Sequence, residues 1–474
     1  MQRKWRVSLI VGSGVFMASL DLFIVNIAFP AISHHFGGAS LSSLSWILSG
    51  YAIVFAALLV PAGRWADAFG RKRAFLGGLL LFVLASAAAA VAPSVAALTA
   101  ARLVQAAGGA LMLPTSLGLM LPEFAPAERH LGIGLWAATG GVAAAAGPPL
   151  GGLLVQLDWR WVFLVNLPVG LLGLVAGART LRERREQDAK RPDVPGALIF
   201  MAAVAMLVVA IVKGQEWGWG SAAVIGLITV SAALVPVMWR RFNHHPAPLL
   251  EPEMLAIRSF RLAVAASVLF FAGFGAMLLA GVLFLTSVWH ESVLDAGLML
   301  FPGPAMATLF SIPSARLGAR VGFRLPGVAG GLLFSAGSLW WITHAGAHPS
   351  YVGDYLPGMA IGGAGVGLVI PTLTGAGTSA LPPVRFATGA AVLTMGRQVG
   401  SALGIAILVA VLAGAPAGVA GFHEAWLISV AAGVAAAATL AALGPRTAPR
   451  TAPAAGELRG SLSPTDPAVA ESAT

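Results

Sequence analysis

Residues 8–31 read SLIVGSGVFMASLDLFIVNIAFPA, a continuous apolar stretch in which Asp21 is the one charged side chain. About 20 such residues, rising 1.5 Å each in a helix, cover the roughly 30 Å hydrocarbon core of a bilayer. The stretch is therefore read as a membrane span, and that reading decides the fold class. The segment before it, Arg3-Lys4-Trp5-Arg6, resembles the charged start of a signal peptide. However, the run is too long for one, carries Asp21 and ends in Phe29-Pro30 without a small-residue cleavage site. It is expected to be an uncleaved first span.

The same pattern recurs along the chain. Apolar runs fall at 8–31, 44–62, 74–92, 95–121, 131–154, 161–178, 195–212, 219–239, 262–288, 295–314, 326–343, 353–374, 386–413 and 423–443, which makes fourteen. The chain is 58% hydrophobic and 10% charged, with a mean hydropathy of +0.84. A soluble protein carries about 25% charged residues, so an ordinary soluble domain is excluded. The 58 glycines and 30 prolines suit membrane helices, where small residues permit close packing and neighbouring helices satisfy freed carbonyls. The absence of cysteine rules out disulfides and thiolate metal sites.

A net charge of +10 could suggest nucleic-acid binding, but the distribution of the basic residues argues against it. Numbering the connections alternately puts 25 of the 29 lysines and arginines on one side. They include Arg3, Lys4 and Arg6, then Arg64, Arg71, Lys72 and Arg73, then Arg129, the Arg179–Arg191 group, Arg240, Arg241, Arg258, Arg261, Arg316, Arg320, Arg324, Arg385 and the tail residues Arg446, Arg450 and Arg459. The other side holds Arg160 and Lys213, while Arg102 and Arg397 lie within spans. Cytoplasmic loops are the ones rich in Lys and Arg, so both termini are expected to be cytoplasmic.

The two halves echo each other. Gly108-Gly109-Ala110-Leu111-Met112-Leu113-Pro114-Thr115 lines up with Gly365-Val366-Gly367-Leu368-Val369-Ile370-Pro371-Thr372 at an offset of 257. Arg64 to Gly70 has a degenerate counterpart in Arg316 to Gly322 at 252, and Arg129 aligns with Arg385 at 256. This predicts an all-α integral membrane protein: a six-helix bundle over 1–178, linkers flanking two extra helices over 179–257, a second six-helix bundle over 258–443, and a disordered cytoplasmic tail over 444–474. Such repeats typify secondary transporters, with the binding site at the repeat interface.

Of nineteen acidic residues, only Asp21 sits well inside a span. A charged carboxylate there is costly unless paired or protonated, which makes it a functional candidate. Arg102 is its natural partner: helix rise places the two about 15 Å and about 10 Å from the outer end of their spans. Burial favours the neutral acid, whereas a nearby guanidinium favours the carboxylate. A cycle that separates and re-pairs them would couple proton uptake and release to transport; a permanent ion pair would merely lock two helices. Arg397, also in mid-span, is read either as an anion-binding or coupling residue or as a donor to backbone carbonyls near Gly396, Gly400 and Gly404. The histidines lie in loops or near span ends, with no metal site among them, and no cofactor is expected. Gly140-Gly141, Gly147-Pro148-Pro149 and Gly151-Gly152 crowd one helix with small residues and two prolines, as suits a bent, closely packed gate. In the second connection, Gly63-Arg64-Trp65-Ala66-Asp67 precedes Gly70-Arg71-Lys72-Arg73, and Asp67 can bind a base or a helix N-terminus.

Taken in order, these stretches resemble the fourteen-span drug:proton antiporter branch of the major facilitator superfamily (the EmrB/QacA-like family). The matching segments are Asp21 to Pro30, Gly63 to Arg73, Arg102 to Ala110 (with Ala107 where glycine is usual), Gly140 to Gly152, Asp158 to Phe163 with Asn166-Leu167-Pro168, and Lys213 to Trp219. The resemblance covers roughly 5–443. It implies a fold of two six-helix bundles with two extra helices between them, Asp21 and Arg102 as coupling residues, and gating by Gly63, Asp67, Gly70, Arg71 and Arg73 together with Gly140, Gly147, Pro148, Gly151 and Gly152. Asn26, Gln105, Met112 and Arg397 are the candidate residues of the substrate cavity. Many relatives use further membrane acids in the second half; this sequence has none well buried there, which weakens the case for polycationic substrates.

The expected function is proton-coupled export of drugs, antibiotics or related amphiphiles by alternating access. The alternative is a facilitator or exporter of a physiological metabolite, including an anionic one. An enzyme would need several catalytic groups at one depth and a channel a charged or carbonyl-lined filter; neither is evident. The expected partners are a small-molecule substrate, protons and membrane lipids, with a single chain as the functional unit in the cell membrane.

Overall fold

Each apolar run is largely helical, and several of the helices extend past the apolar limits to take in polar residues. In the computed structural model, residues 2–125, 128–185, 192–382, 385–416 and 418–443 are described. The expected tail over 444–474, and Lys190 and Arg191, lie outside them. Fourteen helices are long and apolar enough to cross a membrane, and no strand occurs among the described residues. In chain order, spans 1 to 6 are Arg3–His35, Leu41–Phe69, Arg71–Ala90, Val95–Met120, Arg129–Leu157 and Trp161–Thr180. Spans 7 and 8 are Val194–Trp217 and Ala222–His244. Spans 9 to 14 are Arg258–Ser287, Val293–Val321, Arg324–His344, Tyr351–Thr378, Phe386–Gly414 and Val419–Ala441. His34 and His35 lie in the last turn of the first helix, near a span end as expected.

Local chemistry sets several starts. Ser40, Ser94, Ser221 and Ser292 precede spans 2, 4, 8 and 10, and each side chain accepts from a backbone N–H in the first turn, satisfying a donor that would otherwise be orphaned. The expected loop at Gly63–Arg73 is nearly all helix. Span 2 runs to Phe69, Gly70 alone turns with φ +122°, and span 3 begins at Arg71. Gly322 makes the matching turn after span 10 with φ +95°. Both are backbone conformations that favour glycine.

The duplication seen in sequence extends to packing. Spans 1 and 5, 2 and 4, and 3 and 4 touch, and so do their counterparts 9 and 13, 10 and 12, and 11 and 12. Gly78 lies against the Gly108 carbonyl where spans 3 and 4 cross, and Gly330 lies against the Gly365 carbonyl at the equivalent crossing of spans 11 and 12. At both crossings a missing Cβ lets backbones approach, the usual device where lipid offers no hydrophobic drive to association. The two six-helix sets meet along spans 2 and 13 and along spans 5 and 10, so residues up to Leu443 form one unit. Span 7 packs on spans 2 and 13, and span 8 packs on span 7. Few side chains of span 8 are buried, Val224, Ser231 and Phe242 among them, leaving an apolar outer face suited to lipid.

Candidate functional site

Span 1 carries Asp21 into the middle of the first six-helix set, where it is fully buried. Arg102, on span 4, donates from Nη1 to Asp21 Oδ2 and to Gln105 Oε1 at 2.6 Å. The Gln105 amide donates in turn to Asp21 Oδ1 at 2.9 Å and to Ser86 Oγ at 2.7 Å. Asn166 of span 6 donates to the same hydroxyl at 3.1 Å. Arg102 Nε reaches the Ile47 carbonyl at 3.3 Å, and its guanidinium lies 4.1 Å from the Tyr51 ring centre. Five spans thus converge on one carboxylate, and both its oxygens accept.

This arrangement answers the desolvation problem. Arg102 is as deeply buried as Asp21, and a buried ion pair holds only where further hydrogen bonds satisfy the remaining lone pairs and protons. Gln105 does this by spacing: three residues after Arg102, it shares the same helix face. Ser86, Asn166 and Tyr51 were not anticipated from the sequence. Their signal, a polar side chain within an apolar run, is shared by many serines that only bond their own helix, as Ser267 does.

Of the other candidate cavity residues, Asn26 bonds the Leu22 carbonyl of its own helix and leaves Oδ1 buried without a partner. Met112 is fully buried and wedged against Gly14 of span 1 and Gly78 of span 3. It fills a helix contact and does not line open space. Gln105 belongs to the Asp21 network. Arg397 does not serve carbonyls of its Gly-rich helix: Nη2 donates to Thr374 Oγ1 on span 12 at 2.7 Å. Gly396 and Gly400 instead bring span 13 against span 9.

The gating candidates separate into two places. Asp67, in the last turn of span 2, accepts from Arg71 Nε at 2.8 Å, and Arg71 Nη1 reaches the Gly118 carbonyl on span 4 at 3.2 Å. Gly63 packs on Pro114. Glu183, an unanticipated residue after span 6, accepts from the backbone N–H of Lys72 at 3.0 Å and of Arg73 at 3.3 Å. A carboxylate there satisfies the first turn of span 3 and its dipole, and it occupies the space a side chain on Gly70 would need. A cavity of about 240 Å³ lies beside this cluster, lined by Gly63, Asp67, Arg71 and Gly118 and by Thr388 and Ala391 of span 13. Nearby, Glu251 accepts from Arg64 at 2.8 Å and lies 3.5 Å from Arg385, so the linker after span 8 ties span 2 to the start of span 13.

At the other membrane end, Gly147 and Gly151 seat span 5 on Phe23, Ile24 and Ile27 of span 1. Gly152 meets Leu294 of span 10, and Gly297 lies against the Pro148 carbonyl. The two six-helix sets are closed on each other here. Among the described residues, Gly140 has Ser19 alone near it, and Gly134 and Gly141 have none within contact distance.

The similarities of the chain agree with this architecture. It is 35% identical over 410 residues to the Mycobacterium tuberculosis multidrug resistance protein Stp, covering 85% of this chain and 75% of that protein. It is 34% identical over 394 residues to the Streptomyces coelicolor methylenomycin A resistance protein, covering 82% of each. A solved POT family transporter superposes with a TM-score of 0.66 over 90% of this chain and 94% of that one, at 15% identity, which speaks to the fold alone. Residues 11–405 match the Major Facilitator Superfamily, and the chain is a fourteen-span member of that superfamily, a multi-pass membrane transporter.

Proposed function

We propose that this transporter is a proton-coupled exporter of amphiphilic small molecules, of the drug:proton antiporter kind, working by alternating access in the bacterial cell membrane as a single chain with both termini cytoplasmic. The observation that carries the reading is the sealed network around Asp21. A lone acid in hydrocarbon, with both oxygens accepting from Arg102 and Gln105, suits a carboxylate at rest. Any rearrangement of spans 1 and 4 that breaks those bonds leaves the same group in a medium that disfavours charge, and it takes up a proton. Re-pairing expels it.

Alternating access needs two gates. Gly147, Pro148, Gly151 and Gly152 close one end in this state. The turn at Gly70, with Asp67 on Arg71 and Arg73 in the same basic cluster, acts at the other. Export is supported by what the relatives are called: multidrug resistance, methylenomycin A resistance, and tetracenomycin C resistance and export. The cytoplasmic termini are supported by the one-sided distribution of Lys and Arg.

The test is reconstitution with a pH-sensitive dye and a panel that includes methylenomycin A and tetracenomycin C. Substrate addition is expected to drive proton movement with wild type. Asp21→Asn is expected to reduce it to background while inserting equally well. Undiminished proton-coupled efflux from Asp21→Asn would refute the role.

A further inference from the structure

Arg397 lies midway along span 13 with less neutralisation than its depth demands. Nη2 donates to the Thr374 hydroxyl, which is uncharged, and Nε is buried with no partner at all. Among the described residues, no carboxylate comes within ion-pair distance of it. The acids in spans 9 to 14 are Asp295, Asp354 and Glu424, each close to the start of its helix. Among the described residues the other charges at such depth are Asp21 and Arg102, which neutralise each other. Arg397 is therefore, among those residues, an uncompensated cation within the membrane spans, an expensive arrangement that marks an intramembrane site.

What surrounds the guanidinium indicates what it would take. Its centre lies 5.4 Å from the Phe271 ring of span 9, and Phe271 meets Phe274 edge-on at 5.5 Å. Arg397 as a whole is only half-buried, so part of the side chain borders open space while Nε is sealed. Guanidinium N–H donors beside the Phe271 ring, which itself packs edge-on against Phe274, match a planar apolar molecule with one negative group: charge-assisted bonds fix the anion, and the aromatic side chains take the apolar body.

The geometry points to Arg397, with Thr374, Phe271 and Phe274, as an anion-recognition subsite of the transport path, selecting aromatic or other apolar substrates that carry a single carboxylate, phenolate or enolate. This rests on the exporter reading and narrows its substrate class. A cationic amphiphile would meet the guanidinium with repulsion and, among the described residues, with no carboxylate within ion-pair distance to offset it.

The experiment compares three probes of one shape by calorimetry on purified protein in lipid nanodiscs: 1-naphthoate, neutral 1-naphthamide and cationic 1-naphthylmethylammonium. Wild type is expected to bind the anion roughly tenfold or more tightly than the amide, and the cation least. Arg397→Gln is expected to erase the preference, Arg397→Lys to keep part of it, and Phe271→Leu to weaken anion and amide together. No anion preference in wild type, a result that needs no variant, would overturn the subsite; so would a preference that survives Arg397→Gln. Proton-driven efflux that is absent while the preference holds would sink the exporter reading and leave the subsite supported.

Discussion

Asp21 accepts at both oxygens from groups that are themselves buried, so the members of this network are not interchangeable. Arg102→Ala would leave a buried carboxylate with its cation gone, a change that costs about 3–5 kcal/mol in comparable pairs. Arg102→Ala is therefore expected to lower the unfolding temperature markedly in detergent, and adding Asp21→Asn to restore much of the loss, since both charges are then removed. Equal melting of the single variant and wild type would show that the pair is not coupled as the geometry implies. At this scale the sequence made Asp21 and Arg102 legible, because a charge in an apolar run stands out against its cost. It could not single out Ser86 or Asn166, whose polarity becomes a contribution only once span 3 and span 6 are folded against the same point.

Helices meet where side chains are missing. Gly152 against Leu294, and Gly297 against the Pro148 carbonyl, bring spans 5 and 10 within backbone contact. If this contact must open for transport, a covalent bond across it should stop the cycle. The chain contains no cysteine, so Gly152→Cys with Leu294→Cys supplies the only thiols. Oxidation is expected to cross-link the pair and abolish efflux, and reductant to restore it; full transport by the cross-linked protein would exclude this contact as a gate. The number and order of the spans were readable from the apolar runs, but not their full lengths: span 2, expected over 44–62, runs Leu41–Phe69. The Gly63–Arg73 segment was not readable as helix, since its charges suggested a loop. Its residues are helical because Arg71, Asp67 and the Gly118 carbonyl satisfy one another at the helix ends.

At the scale of the whole chain, 25 of the 29 lysines and arginines fall on one side of the alternating connections, and on the positive-inside rule that side is proposed to be cytoplasmic. Reporter fusions at the N-terminus and after Ala441 should both report a cytoplasmic location, and a fusion in the Trp217–Ala222 turn an external one. Opposite locations for the two termini would require an odd number of spans. The linker at Glu251, bridging Arg64 and Arg385, shows the extra pair of helices doing more than occupying lipid: its connection fastens one six-helix set to the other.

The number of spans, their internal duplication and the one acid well inside a span followed from the sequence alone, because hydrocarbon imposes length, apolarity and a severe cost on charge at every position independently. Which polar groups share a point, and which glycines face a neighbour instead of open space, only the tertiary structure decided. Those are properties of pairs of helices distant along the chain, as with Arg397: its sequence context suggested backbone carbonyls, whereas packing against spans 9 and 12 gave it a hydroxyl, an aromatic face and one donor left unsatisfied.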